Sequence, residues 1–168
     1  MKRTIFSVAI LAILAFNLSV SAKTAKADFS GVWKLDAAKS NGLPPGMDQT
    51  MTVTQADDTI KIETLVKGGP QGDQTVADSY ILNDKEVDFK PASQPNAKGK
   101  RTAKWNADST GIEVSEKAEL EAPDGSGTAT VEVTRKWSLS TDGKTLTIEV
   151  KAKTPQGEQE IKRVFNKQ

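Results

Sequence analysis

The stretch Thr128-Ala129-Thr130-Val131-Glu132-Val133-Thr134-Arg135-Lys136-Trp137-Ser138-Leu139 decides the fold. Val131, Val133, Trp137 and Leu139 share one parity, while Glu132, Thr134 and Lys136 take the other. A period of two places successive side chains on opposite faces of a strand, so this segment has one buried and one wet face. The turn signal Asp142-Gly143 follows, and Lys144 to Lys153 then repeats the alternation. Two alternating runs around a short Asp-Gly turn predict an antiparallel hairpin.

Working outward, the same pattern fills nearly the whole chain. Strands are predicted near Phe29–Asp36, Gln49–Gln55, Thr59–Val66, Gln74–Leu82, Glu86–Lys90, Lys100–Asn106, Gly111–Leu120, Thr128–Leu139, Lys144–Lys153 and Glu158–Asn166. Ala56-Asp57-Asp58, Asn83-Asp84-Lys85, Pro123-Asp124-Gly125 and Pro155-Gln156-Gly157 supply compact turns between them. No stretch has a helical period. About ten short strands joined by hairpin turns predict an all-β, up-and-down antiparallel barrel, closed to remove its edges. The Pro/Gly-containing segments Ala37–Asp48 and Pro91–Gly99 are read as rim loops.

Composition narrows the chemistry. The chain has 168 residues, 36% of them hydrophobic and 27% charged, with no Cys and no His. Disulfides, thiolate nucleophiles, Cys/His zinc or haem sites and imidazole bases are thereby excluded. There is no Gly-x-Ser-x-Gly elbow, P-loop or dinucleotide fingerprint, and Gly68-Gly69-Pro70-Gln71-Gly72 joins two strands instead of opening a helix. Asp57-Asp58 reads as a pair of solvated turn charges and not as a calcium site. No cofactor and no metal are expected.

At the N-terminus, Lys2 and Arg3 precede an apolar run from Ile5 to Phe16 and the small residues Val20-Ser21-Ala22. These are the three parts of a secretory signal peptide, so residues 1–22 are expected to be removed and 23–168 to form one barrel domain. The apolar run is shorter than the ~20 residues that span a bilayer. A periplasmic or secreted protein follows, without a membrane span after cleavage. Its formal charge of +1 falls to about −1 once Lys2 and Arg3 are gone, which gives nucleic acid no footprint.

Parity also sorts the charges. Arg101 shares a face with Ala103 and Trp105, Arg135 with Val133 and Trp137, and Arg163 with Ile161 and Phe165, so all three arginines beyond residue 22 point inward. Lys34, Lys61, Lys90, Lys104, Lys117, Lys136, Lys151 and Lys162 take the polar parity. Asp78 and Glu116 fall on apolar faces, the first beside Val76, Tyr80 and Leu82, the second beside Ile112, Val114 and Ala118. Buried charges must pair, stay hydrated or meet a ligand. Two readings stay open: mutual neutralisation in the lumen, or a cationic end to an apolar cavity lined by Val53, Ile62, Phe89, Val114, Val133 and Ile148. Arg163 on the last strand is expected to stack on Trp33 of the first and close the barrel floor.

Phe29-Ser30-Gly31-Val32-Trp33-Lys34-Leu35 resembles the Gly-x-Trp opening strand of the calycins, the lipocalins and fatty-acid-binding proteins. Met51–Thr64 is similar to a central hairpin of the fatty-acid-binding branch, and Lys162-Arg163-Val164-Phe165-Asn166-Lys167 resembles its closing Arg-x-Tyr strand. The resemblance implies that Arg135 and Arg163, with a tyrosine, hold a fatty-acid carboxylate. Phe165 stands where that tyrosine would be, and Ala37–Asp48 is too short for the two-helix lid of that branch. The FSGVWKLD start and the hairpin Trp137–Thr147 look like those of small secreted bacterial lipocalin-like proteins.

The expectation is a monomeric extracytoplasmic barrel that binds a hydrophobic or amphipathic anion such as a fatty acid. Its expected ligand-binding residues are Tyr80, Arg101, Trp105, Arg135, Trp137 and Arg163, and its expected closure residues are Gly31, Trp33 and Arg163. The other reading is a structural or protein-interaction barrel of the cell envelope. An enzyme is not expected, since only the Asp78/Glu116 carboxylates or Tyr80 beside an arginine remain as catalytic candidates.

Overall fold

A computed structural model describes residues 26–69, 72–91, 97–121 and 127–168. Ten antiparallel strands follow one another: β1 Gly31–Leu35, β2 Asp48–Ala56, β3 Thr59–Gly69, β4 Gly72–Ile81, β5 Val87–Phe89, β6 Lys98–Trp105, β7 Gly111–Glu121, β8 Thr128–Leu139, β9 Thr145–Thr154 and β10 Gly157–Lys167. Each predicted strand has its counterpart, and β8 has the predicted bounds. The predicted signal peptide lies outside the described residues.

The sheet order is β4-β3-β2-β1-β10-β9-β8-β7-β6-β5. The first and last strands therefore pair, with Trp33 opposite Lys167 and Leu35 opposite Phe165. Closure is incomplete, because β4 and β5 are the two ends of the sheet and share no ladder. The closed barrel expected from the strand count is thus a curled sheet with a seam. The Ala37–Asp48 segment, read as a loop, holds a 3-10 turn over Ala37–Lys39, capped by the Asp36 carboxylate, which accepts from the Lys39 N–H.

One end is plugged by aromatic rings. Phe29 is wholly buried, 6.2 Å from the Trp105 ring in a stacked arrangement and 5.9 Å from Trp137 edge-on. Trp33 is equally buried and donates its indole N–H to the Phe29 carbonyl at 2.9 Å. Gln55 holds the preceding segment by accepting from the Phe29 N–H and donating to the Ala27 carbonyl. Ile60, Ile112, Val114 and Leu146 complete this core.

The register corrects the expected floor contact. Arg163 pairs with Ile148 on β10/β9, four residues before Lys167, and that separation is about 13 Å along a strand. The cation over Trp33 is Lys167, with Nζ 5.2 Å from the ring. Gly31 makes room for it: at φ +137°, a Cβ there would sit 2.7 Å from Lys167 Cε. Closure thus joins Gly31 and Trp33 to Lys167, while Arg163 belongs to the other end.

Candidate functional site

The inward charges separate into a paired group and an unpaired one. Arg101, 9% exposed, donates Nε to Glu116 Oε1 at 2.7 Å, and its two terminal nitrogens reach Asp78 Oδ1 and Oδ2 at 2.7 and 3.0 Å. It also donates to the Ser79 carbonyl at 3.1 Å, a backbone acceptor on the end strand β4. The Tyr80 and Phe89 rings lie 4.9 and 4.4 Å from its guanidinium carbon. Gly99 permits this, since a Cβ there would run into the Phe89 ring. Arg135 donates Nη1 to the other oxygen of Glu116. Burial works against charge on both arginines, but Asp78 and Glu116 outweigh it at Arg101, and Glu116 and Asp78 outweigh it at Arg135. Both guanidinium pKa values are raised.

This network has two cations and two carboxylates, which is the neutralising arrangement that parity left open. Arg101 is saturated by it and is not among the residues that line the lumen cavity described next.

Beside the network lies a lumen cavity of about 280 Å³. Met51, Ile62, Val66, Val76, Ile148, Val150 and Phe165 form its apolar wall; Gln49, Thr64, Asp78, Tyr80, Arg135, Trp137 and Arg163 add polar or amphipathic groups. Among the expected ligand-binding residues, the structure brings Tyr80, Arg135, Trp137 and Arg163 together here. It leaves Arg101 and Trp105 out. Trp105 stacks on Phe29 and donates its N–H to Asp58 at 3.0 Å, so it belongs to the plugged end. Asp58 also pairs with Lys26 at the surface, its side chain half exposed, in keeping with the solvated turn expected there. Of the expected apolar lining, Ile62 and Ile148 are present; Val53 and Val114 pack in the core, Phe89 covers Arg101, and Val133 does not reach the cavity.

Three groups of this cavity have unusual circumstances. Arg163 has no carboxylate partner among the described residues; it donates to the carbonyls of Asn41 and Gly42, the latter at 3.3 Å, and burial pulls its pKa down. Tyr80 is 4% exposed, and burial above all pushes its phenol well above the ordinary value, so it meets the cavity as a neutral O–H. Trp137 is 3% exposed, and its indole N–H is the one buried side-chain polar group without a partner among the described residues. An orphaned buried donor costs about 1–3 kcal/mol. Gln49 and Thr64 were not singled out from sequence, although parity with Met51 and with Ile62 and Val66 places them inward.

A larger hollow of about 810 Å³ runs along β5, β6 and β7, where Phe89, Gly99 and Ala118 provide apolar wall. Two of its lysines are already paired, Lys100 with Asp88 at 2.7 Å and Lys117 with Glu132 at 3.3 Å. Among the described residues, it has no buried side-chain donor without a partner like Trp137 in the lumen.

No protein-family model and no curated protein matches the chain. Solved structures do. A fatty acid transporter, REP1-NXSQ, superposes with a TM-score of 0.52 at 14% identity, over 83% of this chain and 95% of its own. The zebrafish ileal bile acid-binding protein, solved with cholic acid, gives 0.52 at 17% identity over 83% and 98%. The fold is that of the fatty-acid-binding-protein-like calycin barrels. A variant of the fluorescent protein UnaG gives the same TM-score at 16% identity, over 83% of this chain and 96% of its own. Within the calycin frame, the resemblance implied a carboxylate held by Arg135 and Arg163. Here Arg135 is partly committed to Glu116 and Phe165 supplies no hydroxyl, which leaves Arg163 as the arginine of the lumen wall without a counter-charge among the described residues.

Proposed function

We propose that this chain is an extracytoplasmic small-molecule-binding barrel whose lumen takes a compact amphipathic acid, without chemical conversion. The observation behind this reading is Arg163: it lines the cavity with no carboxylate partner among the described residues, beside an apolar wall that offers burial to a ligand's body. A guanidinium suits a carboxylate because its N–H groups form a planar fork that two oxygens can accept together. At about 280 Å³ the cavity falls just below the ~300 Å³ at which ligand pockets usually begin, which favours an aromatic or medium-chain acid over a long-chain one. Binding of fatty and bile acids by calycins of the same fold supports the ligand class by analogy. The leader-like residues 1–22 support export, and no described feature calls for a second subunit.

Calorimetric titration tests the proposal. Para-isopropylbenzoate should bind saturably, and Arg163→Gln should weaken it about 10-fold or more while leaving the matching benzyl alcohol nearly unchanged. Equal loss for acid and alcohol would assign Arg163 to packing, and the absence of saturable binding by any amphipathic acid would favour the ligand-free envelope barrel.

A further inference from the structure

Three indoles stand on the inner side of the sheet, and two already have oxygen acceptors: Trp33 donates to the Phe29 carbonyl at 2.9 Å and Trp105 to the Asp58 carboxylate at 3.0 Å. Trp137 does not, and it is the one that lines the lumen cavity. Its surroundings are aromatic, with Tyr80 and Phe29 meeting it edge to face at 6.0 and 5.9 Å. Aromatic faces are weak acceptors beside a carbonyl oxygen. Buried donors in folded proteins almost always have partners, so this sealed indole N–H, on a residue of the cavity wall, is a donor that a ligand acceptor would satisfy once the wall side chains shift to admit it.

Register relates this donor to the cation. Ile148 pairs with Arg163 on one side and with Trp137 on the other, so the three residues form one row across β10, β9 and β8. Their outer members are two strand spacings apart, about 10 Å at the backbone. Ile148 is itself cavity wall. A ligand anchored at Arg163 and lying over Ile148 brings its far end to Trp137.

We infer that Trp137 is a specificity-determining donor, and that the lumen selects acids bearing a second acceptor, a ketone or similar oxygen, about one aromatic ring from the carboxylate. This rests on the lumen being a binding site for acids. Binding an acid that lacks the second oxygen leaves the indole N–H unpaired, whereas the oxygenated acid satisfies both ends of the row.

Para-acetylbenzoate and its near-isostere para-isopropenylbenzoate differ in that oxygen alone. The acetyl acid should bind about 10-fold more tightly. In the proton–nitrogen spectrum of the labelled protein, the Trp137 indole signal should move downfield with the acetyl acid and far less with the isopropenyl acid, while those of Trp33 and Trp105 stay nearly fixed. Trp137→Phe should abolish the preference between the two acids; the spectrum of the unaltered protein gives the answer even if this variant folds poorly. Equal affinity for the two acids with an unmoved Trp137 signal overturns the inference and leaves the lumen site standing. Failure of both acids to bind overturns the site and the inference together.

Discussion

Arg101 on β6 and Asp78 on β4 are joined by two hydrogen bonds, 2.7 and 3.0 Å long, across the side of the sheet where the end strands share no ladder. A third bond, from Arg101 to the Ser79 carbonyl, supplies a β4 backbone acceptor with the donor that a neighbouring strand would have given. One guanidinium therefore does across the seam part of what strand pairing does elsewhere.

Removing it should be expensive. Arg101→Met leaves Glu116, 8% exposed, with only Arg135 and leaves Asp78 without its bidentate partner; a loss of about 3 kcal/mol in urea unfolding is expected. Arg101→Met combined with Glu116→Gln should lose less than the sum of the two single changes, since the second removes a charge that the first has orphaned.

At the plugged end, Phe29→Ala should cost about 3–5 kcal/mol, because it empties the space between Trp105 and Trp137. Tryptophan emission should shift to the red as water reaches both indoles. An unshifted spectrum would place the floor elsewhere.

Closure is tested from the same direction. Gly31→Val forces a side chain into φ +137° and against Lys167, so destabilisation of about 2 kcal/mol or more is expected. Lys167→Met removes the cation over Trp33 and should change stability by less than about 1 kcal/mol. Arg163→Gln should leave Trp33 emission unaltered, since Arg163 does not touch that ring.

Tyr80 is the single tyrosine of the chain, so its titration can be read directly. Its pKa is raised above the ordinary 10.0, chiefly by burial, which means the unfolded state gives up the phenolic proton first. Its contribution to stability is whole below pH 10 and is lost as the pH rises from there towards the folded-state value. Alkaline titration should show no phenolate band near pH 10 while the protein is folded, with the band appearing together with unfolding. Phenolate formation near pH 10 in the folded protein would mean that Tyr80 is open to water.

Most of the fold was legible because one rule governs it. Strict alternation in Thr128–Leu139 fixed both the bounds and the faces of β8, and it placed Arg101, Arg135, Asp78 and Glu116 inward before any partner was known. Parity gives a face but not a height or a partner. Arg163 has the same parity as the residues lining the floor, yet the β1/β10 register puts it at the loop end and puts Lys167 on Trp33. Likewise, Asp78 and Arg101 meet only because the sheet curls, and nothing in either strand records the curl. The seam escaped for a related reason: β5 is three residues long and pairs with β6 alone, whereas a strand count treats every strand as a full partner.

A crystal structure of the protein with para-isopropylbenzoate would show where the acid sits and what holds it. The carboxylate should lie within hydrogen-bond distance of the Arg163 guanidinium, displacing the carbonyls of Asn41 and Gly42, with the isopropyl end over Ile148. A ligand seated outside the lumen, or a lumen still empty at saturating acid with Arg163 on those two carbonyls, would contradict it.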